Sequence, residues 1–217
     1  MRAKAYDLKV AYVSGDNILP KINKIMPHNR KDALPHLDSN NANVNVTEES
    51  YLFEKGGAHQ IVSANAYLGA HAIYEAFAKG ADIVICGRVS DASPVIACAW
   101  YWWSWKATDY DRLAGCLIAG HLIECSAYVT GGNFSGFDQY DIDRFVDPGY
   151  PIAEINEDGT CVITKHTNTG GIVTVDTCRS QLVYELQSNL YLNSDVTAIL
   201  DGLVVEEVST DRYGWYH

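Results

Sequence analysis

Positive charge is what this chain has least of: 16 Lys and Arg stand against 27 Asp and Glu, a formal net charge of −11 with an isoelectric point near 4.9. Following a phosphate backbone takes clustered cations, so a nucleic-acid partner is excluded, and an acidic surface is not drawn to anionic membranes. Long apolar runs are missing too, as is a basic start followed by an apolar stretch. No membrane span or secretory leader is therefore expected, and the expected location is cytoplasmic. Neither GxGxxG nor GxxxxGK[ST] occurs, so no nicotinamide or nucleotide cofactor is expected. The six cysteines, at 86, 98, 116, 125, 161 and 178, form no CxxC pair and no zinc-like spacing. Most of them read as buried free thiols rather than metal ligands.

What is present is enough for one domain with a sizeable core, at 217 residues. Leu8 to Val13 reads as a strand that runs into the turn cluster Ser14-Gly15-Asp16-Asn17. A weak helical pattern follows to Met26, and residues 27–50 read as a long surface excursion. From Ile61 the chain alternates: a strand at Ile61-Val62-Ser63, a helix over about Leu68 to Lys79, and an apolar strand at Ile83-Val84-Ile85-Cys86. That pattern is a βαβ unit. Helices are expected over about Pro94 to Trp105 and Tyr110 to Cys125, then a short strand at Tyr128-Val129-Thr130. After residue 150 the pattern changes to a hairpin around Asn156-Glu157-Asp158-Gly159, a polar loop from Lys165 to Gly171, a helix from Val173 to Leu186, and a late strand starting at Leu203. The fold expected is a three-layer α/β domain around a mostly parallel sheet, with a hairpin-bearing C-terminal extension.

Residues with chemical potential cluster where strands should end. Gly87-Arg88-Val89-Ser90-Asp91 follows an apolar strand of the kind buried in a parallel sheet, which places Arg88 near the ligand crevice. Its planar fork suits a carboxylate or phosphate, with Asp91 to orient it; a structural Arg–Asp pair is the alternative. Asn65 could bind a substrate carbonyl or cap a helix. Thr169-Gly170-Gly171 precedes a helix, so free N–H groups there could hold an anion with Lys165 and His166 adding charge; a plain connection explains it as well. Gly131-Gly132 carries the same ambiguity. His121 and Glu124 share a helix face at a spacing of three and could move protons, or form a satisfied buried pair. Glu154 is a candidate base if it points into the crevice. Trp100, Tyr101, Trp102, Trp103 and Trp105 cover more than one helix face, which favours core or interface packing over a ligand pocket.

Ser63-Ala64-Asn65-Ala66-Tyr67-Leu68-Gly69, Gly80-Ala81-Asp82-Ile83-Val84, Gly87-Arg88-Val89 with Asp91, Gly120-His121 with Glu124-Cys125, and Thr130-Gly131-Gly132 resemble the acyclic terpene utilisation family core domain. Pro151-Ile152-Ala153-Glu154, Val162-Ile163-Thr164-Lys165, Thr169-Gly170-Gly171 and Gln181-Leu182 with Tyr184-Glu185 extend the resemblance, which runs in order over residues 8–208. It implies an enzyme-type domain of acyclic terpene or branched acyl-thioester catabolism, with hydratase or lyase chemistry on a CoA-thioester. Arg88, Asn65 and the Gly170-Gly171 loop would bind substrate, and His121 with Glu124 would move protons. Relative to the family pattern, residues 1–208 look like a core domain lacking its amino-terminal part, and residues 209–217 like a divergent tail. The rival expectation is a noncatalytic remnant that self-associates or binds a partner through its aromatic face.

Overall fold

A computed structural model describes residues 7–22, 40, 42, 61–184, 186 and 188–216. The sequence expectations for residues 23–39 and 43–60, including most of the surface excursion, lie outside the described residues. Val10–Val13 (β1) pairs in parallel with Ile83–Cys86 (β2), Val10 opposite Ile83 and Val13 opposite Cys86. Between them in sequence lies helix His71–Ala78 (α1), which completes the βαβ unit. The unit therefore uses β1, and not Ile61-Val62-Ser63, as its first strand. The stretch that follows Ser63 makes only bridges, Asn17 to Asn65 and Leu68 to Val89. It is tied to the loop after β1, where Ile18 N–H donates to the Ala64 carbonyl and Ala66 N–H to the Asp16 carbonyl. Pairing met by a loop leaves no ladder to build.

Helix Ser93–Trp103 (α2) opens with Pro94 in its first turn, where a missing N–H costs nothing. Helix Tyr110–Ile123 (α3) is the centre of the core: Leu113, Cys116, Leu117, Ile118, Ala119 and Leu122 are all buried. It packs on α2 on one side and on later strands and a helix on others. Gly120 makes the approach of α2 possible, since a Cβ there would sit 2.7 Å from the Ala92 Cβ. Tyr128-Val129-Thr130 is not a strand. It belongs to a π-helical turn, Tyr128–Gly132, because Gly132 N–H bonds back to the Ala127 carbonyl and Gly131 takes φ +116.

The C-terminal part forms the larger sheet. Pro151–Ile155 (β3) and Cys161–Lys165 (β4) make the expected hairpin. Helix Val175–Leu182 (α4) follows, opened by a reciprocal capping box between Thr174 and Thr177. Leu190–Leu192 (β5) pairs antiparallel with Thr197–Ile199 (β6). Val204–Ser209 (β7) and Arg212–Tyr216 (β8) complete a four-stranded sheet of order β3-β4-β8-β7, antiparallel throughout. β8, within the stretch set apart in sequence as a tail, thus sits between β4 and β7. The architecture is mixed α/β as expected, but "mostly parallel" is corrected: among the described residues one two-stranded pair is parallel and the rest of the pairing between strands is antiparallel. Tight turns between β3 and β4 and between β7 and β8 allow only antiparallel neighbours.

Candidate functional site

Because β1 and β2 run parallel, their carboxyl ends open on one edge, and the loops that leave them meet there. Asp16, in the turn after β1, accepts two hydrogen bonds on Oδ2: from Arg88 N–H at 2.9 Å and from Asn65 Nδ2 at 2.9 Å. Gly87 makes room for the carboxylate, as a Cβ there would lie 2.1 Å from Asp16 Oδ1. The Arg88 backbone bond holds the Asp16 carboxyl below its ordinary value of 3.8, with Asn65 helping and burial opposing. Asn65 Oδ1 in turn accepts from Ser63 Oγ at 3.2 Å. Two of the residues singled out from sequence, Asn65 and Arg88, are thereby brought together by a third that the sequence marks only as part of a turn.

Arg88 is tied down through its backbone alone. Its N–H goes to Asp16 and its carbonyl accepts from Leu68 N–H at 3.1 Å. Among the described residues its guanidinium makes no ion pair or hydrogen bond; it stands 5.9 Å from the centroid of the Tyr67 ring, at the range where a cation is weakly held by an aromatic face. Asp91 does not pair with it. That residue is exposed in the tight turn, closed by Ser93 N–H to the Ser90 carbonyl, that carries the chain into α2.

A second carboxylate braces this edge from the C-terminal half. Asp195 accepts from Ala70 N–H at 2.5 Å, at the start of α1, and from Ser93 Oγ at 2.7 Å. Gly69 admits it, since a Cβ there would be 2.3 Å from Asp195 Oδ1. Next to it Ser194 Oγ donates to the Tyr67 carbonyl and lies 2.9 Å from Ser90 Oγ. The β5–β6 turn is thus bonded to Tyr67 and Ala70 and to Ser90 and Ser93, just after Arg88.

His121 is 5% exposed, with Nε2 3.2 Å from the Leu182 carbonyl and its ring edge-on to Tyr191 at 5.1 Å. Gln181 Nε2 donates to the His121 carbonyl at 3.0 Å, while Gln181 Oε1 is buried with no hydrogen-bond partner among the described residues. Glu124 lies beyond the end of α3 with extended backbone, φ −67 and ψ 162, so the shared helical face expected for His121 and Glu124 stops at Ile123. Its Oε1 accepts from Cys125 Sγ at 2.8 Å.

The glycine loops form a separate group. Pro148 bridges Gly170, Gly149 N–H donates to the Gly170 carbonyl, and the Thr130 hydroxyl donates to the Gly149 carbonyl at 2.6 Å. Three N–H groups that could serve an anion are spent: Gly171 bonds to the Arg144 carbonyl, Ile172 to the Thr130 carbonyl and Val173 to Asp211 Oδ1. Gly170 and Gly171 are there for close approach, since Cβ atoms would meet the Asp147 carbonyl oxygen at 2.6 Å and the Thr130 carbonyl oxygen at 2.5 Å. Gly131 is closed by the Phe145 ring and Gly132 by the Ala127 carbonyl. Thr169 Oγ1 donates to the His166 carbonyl, and the Lys165 ammonium, 9% exposed as a residue, donates to the Thr169 carbonyl at 2.9 Å and pairs with Asp211 at 3.7 Å. Glu154 is bound by both Arg212 guanidinium nitrogens, which hold its carboxyl below its ordinary 4.5 and make it a poor base. Among the described residues no hydrogen bond or bridge joins this group to the Asp16 crevice.

Sequence reasoning missed Asp16, Asp195 and Asp211 as organising residues. For Asp16 the signal was there, in a polar turn directly after the first strand of a βαβ unit. Asp195 and Asp211 carry no local signal, because their partners are far away in the chain. Among the described residues no helix is long and apolar enough to cross a membrane, and no group of three or more His, Cys, Asp or Glu side chains is placed to hold a metal ion. A family model described as acyclic terpene utilisation family protein AtuA matches residues 1–214. No curated protein and no solved structure matches the chain.

Proposed function

The chain belongs to the acyclic terpene utilisation family, which implies a role in acyclic terpene utilisation, and we propose that its strand-end crevice binds the anionic end of a branched acyl-thioester of the coenzyme A type. The observation that carries this reading is Arg88: a guanidinium fixed by its backbone, unpaired among the described residues, and set over an aromatic ring at the carboxyl edge of a parallel strand pair. Asn65, oriented by Asp16 and Ser63, supplies an amide for the thioester carbonyl. Hydration or lyase chemistry on the acyl group needs a proton carrier, and His121 with Glu124 takes that part in this reading. Support for it is the packing on the His121 ring of Tyr191, three residues before Ser194, whose hydroxyl is bonded to the Tyr67 carbonyl. Glu154 is left out, held ionised by Arg212.

Calorimetric titration with 3-methylbut-2-enoyl-CoA tests the reading. Saturable binding should weaken by roughly 10- to 100-fold in Arg88→Met, the worth of a charge-assisted hydrogen bond, and less in Arg88→Lys. Unchanged affinity in Arg88→Met would remove the crevice from consideration.

A second reading, self-association, is favoured by one surface. Val10 and Tyr12 on β1, 46% and 69% exposed, lie directly opposite Ile83 and Ile85 on β2, 40% and 53% exposed, forming a continuous apolar face. The occupant proposed is a second copy of the chain. Sedimentation of Tyr12→Asp against the parent chain tests it: a shift to monomer is expected, and a parent chain that is already monomeric at high concentration ends this reading.

A further inference from the structure

A cavity of a size to hold a ligand lies away from the crevice. It has a volume of about 490 Å³ and opens between the amino-terminal half of α3, the β3–β4 turn and β6. That size suits a small molecule. Its lining is mainly apolar, from Ala114, the buried Ile118 and Ala198, and Leu203, so it favours a hydrocarbon body.

At its mouth three carboxylates stand against one guanidinium, so negative charge is in excess. Asp111 and Asp158 are both exposed lining residues, and Asp109 lies alongside in an adjoining hollow. Arg112, the cation in the same turn of helix, is paired with Asp109 at 3.5 Å. Asp158 Oδ1 accepts from Thr160 N–H at 3.0 Å and from Thr160 Oγ1 at 2.7 Å, which fixes the carboxylate, while Oδ2 has no hydrogen-bond partner among the described residues. A carboxylate can only accept. An incoming head group therefore has to donate hydrogen bonds and is favoured if it is positive; an anion would meet like charge on a chain already at −11.

From this combination we propose that the cavity is a second binding site, for small apolar molecules carrying a protonated amine. It goes beyond the crevice reading and is opposite to it in sign, since the crevice offers a cation and this cavity offers carboxylates.

Calorimetric titration of the intact chain with n-hexylamine, n-hexanol and hexanoate at neutral pH and low salt tests the proposal. Saturable binding of hexylamine is expected, about fivefold or more tighter than hexanol, with hexanoate weaker than both. Ala114→Phe, which fills the lining from a half-buried position, should abolish hexylamine binding. Asp111→Asn, an exposed change in the first turn of α3, should weaken it by roughly threefold to fivefold while leaving hexanol unchanged, and thermal unfolding verifies that each variant folds. The proposal is overturned if hexanoate binds as well as hexylamine, if hexylamine shows no saturable binding, or if folded Asp111→Asn retains the parent preference for amine over alcohol.

Discussion

At the end of β1, Asp16 gathers a backbone N–H and an asparagine amide and leaves the guanidinium of Arg88 without an ion pair among the described residues; in the turn before β8, Asp211 gathers the Val173 N–H together with the cationic side chains of Lys165 and Arg144. The same residue type thus closes two loops with different outcomes. Around Asp211 the Gly171, Ile172 and Val173 N–H groups are already matched, which makes that region scaffold. Around Asp16 the backbone is matched and a charge is left over, and a charge left over is what a ligand can complete. The distinction turns on where the cation's hydrogen-bonding capacity goes, and not on the density of polar residues.

The largest expected effect comes from glycine in the scaffold. Gly171 has φ +79, and a Cβ on it would lie 2.5 Å from the Thr130 carbonyl oxygen, so Gly171→Val combines backbone strain with a clash against main chain. A loss of about 3 kcal/mol is expected, lowering Tm by roughly 6–12 °C. Gly87→Ala meets only the Asp16 side chain, which can turn away, so it should cost less stability and more ligand affinity. If thermal scans rank the two the other way, the division into scaffold and site fails.

Next in size is Asp211→Ala. It strips the Val173 N–H of its acceptor and leaves Lys165, a buried residue, with only the Thr169 carbonyl. About 2 kcal/mol is expected from denaturant unfolding. Asp16→Ala should instead cost less stability than this, since Asp16 is only half-buried, and lower affinity for 3-methylbut-2-enoyl-CoA by freeing Asn65 and the Arg88 loop. Equal effects of the two substitutions on stability would erase the contrast between the regions.

How much of this was legible in the sequence depends on the range over which each residue acts. Apolar periodicity and Pro94 mark α2 and α3 locally, and the polar turn at Asn156 to Gly159 marks the β3–β4 hairpin, so these elements stand where expected. The strand-end position of Arg88 could be read as well, because an apolar run followed by Gly-Arg is a local pattern. Sheet partners could not be read. Whether Ile83–Cys86 pairs with Ile61 to Ser63 or with Val10–Val13 is decided by loop hydrogen bonds across some 50 residues, and the place of β8 by antiparallel turns that periodicity does not encode. The His121 and Glu124 pair failed as a helical face for a smaller reason, the end of α3 falling between them.

The smallest effect expected belongs to Glu154, and it shows how a strong bond can matter little. On β3, it reaches across β4 to Arg212 on β8 and is held by both guanidinium nitrogens. These bonds lower its carboxyl below the ordinary 4.5, against an opposing effect of burial. A depressed carboxyl binds fewer protons when folded than when unfolded. Its contribution is therefore present above about pH 4.5 and is lost as the pH falls through the lower folded value. Both side chains are more than a third exposed, at 37% and 49%, so solvent screening reduces the gain to about 0.5 kcal/mol. Unfolding of the parent chain and of Glu154→Gln, measured from pH 7 down to pH 3, should show the parent slightly more stable at the top of the range and the gap closing below pH 4.5. Adding 1 M salt should shrink the gap at neutral pH. A gap that widens toward acid would mean that Glu154 is protonated more readily in the folded chain than in the unfolded one, and it would return this residue to the list of possible bases.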